Sequence, residues 1–235
     1  MQVHIQMAPK KPLIVPFNYN YQLQSSIYAK LAEINASTFW HDIGYGEINK
    51  FKAFNFGPLK GSYFVEDNHI HFRDSVTLEI RSPVFEFCDD LQRAVELNQN
   101  MKLFDTEMTI LNADITNRHI NKQSAFFKTE TPITVYKNLE DGKRKYYNPE
   151  ESEFFIGICN NFERKYEAIN KCPPAPIQIR PVGDYKKVVT KYKSTWIIAY
   201  QVSIEAQGCS KSLEFLYNSG LGAKSSMGFG FVKLN

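Results

Sequence analysis

The fold class this sequence predicts is α+β, in two tandem units of order β-α-β-β-α-β. Length is the first reason: 235 residues suit one large domain or two of about 115 residues, each able to bury a real core. Periodicity is the second, because apolar residues switch between alternation and helical spacing several times along the chain. Order is the third. Strand, helix, strand, strand, helix and strand can be read once in residues 1–118 and again in residues 119–235. No residue-level repeat joins the halves, so the tandem reading rests on element order.

In the first half, VHIQM (Val3 to Met7) alternates and reads as a strand. Beyond Tyr21, Leu23, Ile27, Leu31 and Ile34 fall at helical spacing and define an amphipathic helix ending near Asn35. Ser37 has the look of an N-cap for a short second turn, TFWHDIGY, stopped by Gly44. KAFNF (Lys52 to Phe56) is a strand, GSYFVEDNHIHF a hairpin turning at Asp67 and Asn68, and VTLEI a further strand. VFEFCDDLQRAVELNQ follows as a helix, and KLFDTEMTILNADI as one long alternating strand.

The second half opens on a strand, SAFFKTETPITVYK, running into a polar hairpin, NLEDGKRKYY. A helix spans Asn148 and Pro149 to about Asn170. After the proline-rich link CPPAPIQIRPVG come the strand-like runs KKVVTKYK and TWIIAYQVSIEA. A last helix, KSLEFLYN, leads through a glycine-rich loop to a final strand, FGFVKL. Each half therefore has the ferredoxin-like arrangement that many RNA-binding modules use.

Composition narrows the function classes. Hydrophobic residues make up 43% and charged residues 23%, as expected of a soluble protein. The longest apolar run, WIIAY (Trp196 to Tyr200), is far too short to span a bilayer, and no apolar secretion signal is visible. Cys88, Cys159, Cys172 and Cys209 stand far apart without a CxxC pair. Neither a disulfide framework nor a zinc site is expected, and a reducing cytoplasm is the expected home. Residues 1–118 hold 11 Lys and Arg against 14 Asp and Glu, net −3, whereas residues 119–235 hold 17 against 11, net +6. Such a split suits a second half that meets a polyanion, and a chance imbalance between two domains would look the same.

The tail SGLGAKSSMGFGFVKLN places Gly220, Gly222, Gly228 and Gly230 around Lys224, Ser225 and Ser226. A nucleotide-cofactor loop works by opening a helix whose N–H groups face the phosphate. Here the loop follows a helix, with Gly220 placed as its C-cap, and runs into a strand. What remains is a small-residue loop exposing backbone N–H groups beside a lysine and two hydroxyls, chemistry that suits a sugar-phosphate backbone. On this reading Gly220 and Gly222 let the RNA backbone come close. A tight helix-to-strand connection would use the same letters.

GLGAKSSMGFGFV resembles the C-terminal glycine-rich signature of the CRISPR-associated repeat-processing endoribonucleases, members of the repeat-associated RNA-binding superfamily. FNYNYQLQSSIYAKL is similar to that family's first helix, FWHDIGY to its histidine turn, FKAFNFGPLKG to its second strand, and TPITVY to the opening of its second domain. The resemblance spans essentially the whole chain in order and spacing. It implies tandem ferredoxin-like domains, at residues 1–118 and 119–235. It also implies an enzyme that cuts CRISPR repeat RNA to mature guide RNA without metal or cofactor. The partner implied is CRISPR repeat RNA, with a homodimer or a place in a larger CRISPR effector complex left open.

RNA can be cut without a metal because its own 2′-OH can attack the adjacent phosphorus. A protein must then help deprotonate that hydroxyl, stabilise a phosphorane-like charge and protonate the leaving 5′-oxygen. Histidine suits the proton transfers, since its ordinary pKa lies near neutrality, and lysine suits the non-bridging oxygens. His4 and His119 sit in or beside strands with nothing catalytic near them in sequence. His69 and His71 form an H-x-H pair without an acidic or cysteine partner at ligand spacing. His41 stands on a short turn beside Asp42 and Gly44, and the resemblance implies that it matches the family's catalytic histidine. Tyr28, about 100° off the apolar stripe of its helix, matches an assisting tyrosine. Lys52 matches the active-site lysine, with Lys50 as the alternative because GYGEINKF lengthens the link and Lys50 lies two residues away on the same strand face. Products with a 2′,3′-cyclic phosphate and a 5′-OH are implied. Two rivals stay open: a non-catalytic RNA-binding subunit of the superfamily, and a metal-dependent enzyme using His69 and His71.

For RNA grip the second half offers Arg180, Lys186, Lys187, Lys191 and Lys193 with Tyr185, Tyr192 and Trp196 interleaved. Basic residues along strands can follow a backbone while aromatics stack on unpaired bases. An edge strand kept apart by lysines would read alike.

Overall fold

A computed structural model describes residues 1–47 and 50–235 of the chain. Strand β1 (Gln2–Pro9) is followed by β2 (Leu13–Pro16), helix α1 (Asn20–Ala32), a short π-helical turn (Thr38–Ile43) and β3 (Asn55–Phe56). Then come β4 (Tyr63–Glu66), β5 (His69–Phe72), β6 (Val76–Arg81), α2 (Phe85–Leu97), β7 (Asn100–Leu103) and β8 (Thr106–Thr116). The second half contains β9 (Ser124–Thr129), β10 (Tyr136–Asn138), β11 (Arg144–Tyr146), α3 (Ser152–Asn170), β12 (Gln178–Tyr192), β13 (Thr195–Gln207), α4 (Ser210–Ser219) and β14 (Val232–Leu234).

Two antiparallel sheets follow, with strand orders β3-β6-β1-β8-β7 and β12-β13-β9-β14. Leaving out the extra edge strand β7, both orders are second, third, first and fourth strand of a β-α-β-β-α-β unit. The fold is therefore α+β with two ferredoxin-like units in tandem. Each sheet buries one face under its two helices. Val3, Ile5 and Met7 alternate inward from β1 against Leu23, Ile27 and Leu31 of α1, all fully buried. Phe127 of β9 and Ile204 of β13 do the same against Phe154, Ile158 and Phe162 of α3.

Where the structure departs from the sequence reading, the causes are local. The run predicted as one strand, KLFDTEMTILNADI, reverses at Phe104, whose φ is 57°, so it forms the hairpin β7–β8. SAFFKTETPITVYK is likewise broken after Thr129, before Pro132, which has no N–H to give a ladder. Only Asn55 and Phe56 of KAFNF pair in a sheet, because Ala53 takes a left-handed φ of 49°. Lys50 and Lys52 consequently do not share a strand face. FGFVKL pairs only over Val232–Leu234. Ser37 makes no side-chain cap, and α3 begins at Ser152 rather than near Asn148. LIVP, between two prolines, was not foreseen as a strand; it pairs with β5 in a small sheet of order β2-β5-β4. The hairpin turn at Asp67 and Asn68 (φ 47° and 58°) is as expected.

The halves are joined through buried polar contacts. The guanidinium of Arg81, 2% exposed, lies 3.8 Å from the ring centre of Tyr217 and 3.9 Å from that of Phe231, and Nη1 donates to the Val232 carbonyl at 2.5 Å. Among the described residues no helix is long and apolar enough to cross a membrane. All four cysteines are free.

Candidate functional site

A cleft of about 820 Å³ opens between the halves. Tyr28 reaches it from α1, His41 from the π-turn, Lys50 and Lys52 from the link after that turn, and Lys224 with Ser226 from the glycine-rich tail. Residues 48 and 49 of that link lie outside the described residues.

The π-turn is held by Trp40. Its ring is 2% exposed, meets Phe87 edge-on at 5.1 Å, and donates from Nε1 to Asp90 Oδ2 at 2.9 Å. His41, the next residue, stays outside, with 61% of its side chain exposed. Gly44 ends the turn at φ 61°, and a Cβ there would lie 2.6 Å from the Phe51 carbonyl oxygen and 3.3 Å from Lys52 Cδ. Only glycine allows the link to return that closely. Tyr45 and Phe51 then exchange backbone hydrogen bonds of 2.8 and 2.7 Å. Lys52 is thus set beside the histidine turn by a closure that the glycine makes possible.

The electrostatics follow from this packing. The ring of Tyr28 meets His41 edge-on at 4.7 Å and Phe54 at 5.5 Å. Burial pushes the Tyr28 hydroxyl well above its ordinary pKa, with Tyr192 and Asp42 adding, so it remains an O–H donor. His41 Nδ1 lies 2.5 Å from Asp42 Oδ1. A proton donated from Nδ1 to that carboxylate leaves Nε2 free to accept or give another. Partial burial holds the Lys52 ammonium below its ordinary pKa; Asp42 opposes this and Lys50 adds to it. An imidazole, a phenol donor and a cation therefore meet in one cleft. Among the described residues no three His, Cys, Asp or Glu side chains converge as a metal site. His71 stacks on Phe64 at 4.8 Å, and His69 Nδ1 faces the Asp67 carbonyl at 2.8 Å.

The glycine-rich tail differs from expectation. Gly220 and Gly222 are buried and face the protein, not the cleft. A Cβ on Gly220 would collide with Asn55 Nδ2, and one on Gly222 (φ 72°) would lie 2.8 Å from the Thr134 carbonyl oxygen. The close approach these glycines serve is within the chain. Ser225 is buried as well. Its Oγ accepts at 2.6 Å from Lys165 Nζ, which also donates to the carbonyls of Ser219, Gly220 and Gly222 at 3.2, 3.0 and 3.1 Å. On its other side the tail is held by α1: Gln24 Nε2 donates to the Ser226 carbonyl at 2.6 Å, and Asn20 Nδ2 to the Gly228 carbonyl at 3.2 Å. Lys165 and Gln24 were missed in the sequence. The signal for Lys165 was there, since it stands on the apolar stripe of α3 after Phe154, Ile158 and Phe162.

The basic residues of β12 are spread out. Arg180 pairs with Glu205. Lys186 and Lys187 are exposed along the sheet's edge strand, outside the cleft. Beyond them the β12–β13 hairpin crosses to the first half. Tyr192 Oη donates to Gln24 Oε1, Thr190 Oγ1 to Asn18 Oδ1 at 2.7 Å, and Lys193 Nζ lies 4.5 Å from the ring centre of Tyr21. Tyr192 is buried by this docking, which corrects its reading as a stacking platform. Trp196 stays 61% exposed, with Lys191 Nζ 5.8 Å from its ring centre.

Residues 115–234 match the family model described as CRISPR associated protein Cas6, C-terminal. The chain is 27% identical over 243 residues to the CRISPR-associated endoribonuclease Cas6 1 of Methanocaldococcus jannaschii, covering 99% of this chain and 92% of that protein. It is 24% identical over 248 residues to the CRISPR-associated endoribonuclease Cas6 of Pyrococcus furiosus, covering 100% and 90%. Among solved structures, a Cas6-related protein from Pyrococcus furiosus superposes with a TM-score of 0.84 at 21% identity, over 100% of this chain and 98% of that one. A CRISPR associated protein Cas6 superposes with a TM-score of 0.83 at 24% identity, over 100% and 99%.

Proposed function

Since the chain belongs to the Cas6 family of CRISPR-associated proteins, we propose that it is an endoribonuclease that cuts CRISPR repeat RNA without a metal ion. The 2′-oxygen of the nucleotide before the cut attacks phosphorus. The 2′-O–P bond forms as the P–O5′ bond breaks, leaving a 2′,3′-cyclic phosphate and a 5′-OH. One proton is taken from the 2′-OH and one is given to the 5′-oxygen, so protons balance.

We assign proton transfer to Nε2 of His41, oriented by Asp42 through Nδ1. Lys52 neutralises charge on the non-bridging oxygens, with Lys50 the alternative on the same link. The Tyr28 hydroxyl, kept protonated by burial, donates a hydrogen bond to the reacting phosphate. Lys191, Lys193 and Trp196 on the docked hairpin, and Arg180, Lys186 and Lys187 along β12, are assigned to RNA grip. In the tail this role falls to Lys224 and Ser226, while Gly220, Gly222 and Ser225 shape the loop that presents them. We place the boundary between the catalytic and the basic half at residues 118 and 119.

One observation carries the reading: Tyr28, His41 and Lys52 line a single cleft that Lys224 lines as well. The test is cleavage of repeat RNA by His41→Ala. Loss of a proton-transfer group should slow cleavage by on the order of 100- to 10,000-fold with RNA affinity nearly unchanged. A variant cutting within about threefold of wild type would remove His41 from the mechanism.

A further inference from the structure

We propose that Arg144 and Lys224 form a phosphate site over the ring of Tyr136, gripping an unpaired RNA strand where it leaves the cleft. The proposal rests on the reading of the chain as an RNA-cutting enzyme and adds a site on an element that reading leaves unused, the β10–β11 hairpin.

That hairpin belongs to neither ferredoxin-like sheet; β10 and β11 pair only with each other. Two strands alone are marginal in water, so its placement depends on tethers. Tyr147 N donates to the Val135 carbonyl at 3.0 Å, and Tyr146 Oη to the Trp196 carbonyl at 3.4 Å. Its cations are of two kinds. Lys143 pairs with Asp141 at 3.0 Å and Lys145 with Glu151 at 3.3 Å. Lys137 and Arg144 have no carboxylate within ion-pair distance among the described residues, and neither does Lys224 of the tail; of the hairpin's two unpaired cations it is Arg144 that lies against Tyr136.

Arg144 and Lys224 share that ring. The Arg144 guanidinium carbon lies 5.0 Å, and Lys224 Nζ 5.4 Å, from the centre of Tyr136. The face of an aromatic ring attracts cations, so Tyr136 gathers two positive groups that otherwise repel. The cost is visible on Lys224: burial lowers its pKa, and the charge of Arg144 lowers it further. Its backbone is also left-handed, φ 62°, a conformation a lysine adopts only where its surroundings impose it. The tail's bonds to Lys165 and Gln24 impose it here. An anion between Arg144 and Lys224 relieves the repulsion, and a phosphate suits a guanidinium beside an ammonium.

The surroundings identify the strand as single. Tyr136 and Tyr146 stand opposite each other in the hairpin with ring centres 5.7 Å apart, and Tyr146 leads to the exposed Trp196 with Lys191 beside it. Cations thus flank a run of three rings, Tyr136, Tyr146 and Trp196, between the cleft and the β12–β13 hairpin, an arrangement that suits unpaired bases and their phosphates.

The probe is a fluorescein-labelled oligouridylate of about 12 nucleotides, with binding measured against salt for wild type, Arg144→Ala, Lys224→Ala and Lys143→Ala. The first two variants should each weaken binding and lower the slope of log affinity against log salt by up to about 0.7. Lys143→Ala, on the same hairpin but paired with Asp141, should leave the slope unchanged. Melting temperatures of Arg144→Ala and Lys143→Ala should match wild type. An unchanged slope in Arg144→Ala, an equal loss in Lys143→Ala, or a wild type that does not bind the probe overturns the site. Cleavage of repeat RNA by wild type is scored separately. If it is absent while Arg144→Ala still flattens the slope, the nuclease reading falls and the phosphate site stands.

Discussion

Replacing Lys165 by methionine keeps the volume and removes the charge at the point where the glycine-rich tail is tied down. In the native chain one ammonium serves four oxygens: three carbonyls left over at the end of α4 and in the tail, and Ser225 Oγ. It has three N–H groups, so one of them is shared. Each bond from a charged donor is worth about 1.5–3 kcal/mol, offset by several kcal/mol for burying the ammonium. The variant leaves the four oxygens buried without that donor, and removing one member of such a set costs about 3 kcal/mol. For a chain of this size that lowers Tm by about 6–12 °C. Burial also pushes the Lys165 pKa down to about 7 from 10.5, so above pH 7 a neutral amine with two N–H groups serves the same oxygens without the cost of a buried charge. Between those values the unfolded chain holds a proton that the folded chain has released. Lys165 therefore adds a contribution that rises with pH above 7, and the gap between wild type and variant should widen from pH 7 to 9. Calorimetric melting of both proteins at the two pH values decides it. A variant melting within about 2 °C of wild type, or a gap that narrows with pH, would mean that Lys165 does not hold the tail in this way.

Gly222→Val should unfold the tail and abolish RNA binding in parallel. Its φ of 72° and the Thr134 carbonyl 2.8 Å from the added Cβ make a strain of about 1–3 kcal/mol before any clash, so binding lost with Tm unchanged would contradict the geometry. Lys187→Glu with Lys191→Glu should weaken RNA binding and lower its salt slope by up to about 0.7 for each phosphate no longer neutralised. An unchanged slope would assign those lysines to a plain solvated edge.

The histidine turn was legible because its signals are local. Gly44 must sit at positive φ where the link returns to within 2.6 Å of its missing Cβ, and a glycine three residues after an exposed histidine shows in the letters. Strand ends were less so. Apolar residues lie on both sides of Phe104 without a glycine or proline between them, and its left-handed φ reverses the chain there. The inward turn of Gly220 and Gly222 was hidden for a different reason, since glycine suits a close approach to ligand or protein alike, and the choice depends on Asn55 and Thr134, far away in sequence. Tyr192 is similar: a tyrosine between lysines reads as a base-stacking platform, yet its partner is Gln24, 168 positions earlier. Lys165 could have been found, because a lysine on the buried stripe of a helix must have oxygens to serve.

In the mechanism proposed for this chain the attacking group is the RNA's own 2′-OH, activated at His41 with no metal. The most direct measurement uses a repeat oligonucleotide carrying one deoxynucleotide immediately 5′ of the cut, compared with the unmodified RNA, each with and without excess EDTA. Normal binding with no cleavage of the deoxy substrate, and an unchanged rate for the unmodified RNA in EDTA, is the result expected. Cleavage of the deoxy substrate at the normal rate, with activity lost to EDTA, would mean a metal-activated water and would remove Tyr28, His41 and Lys52 from their assigned roles together.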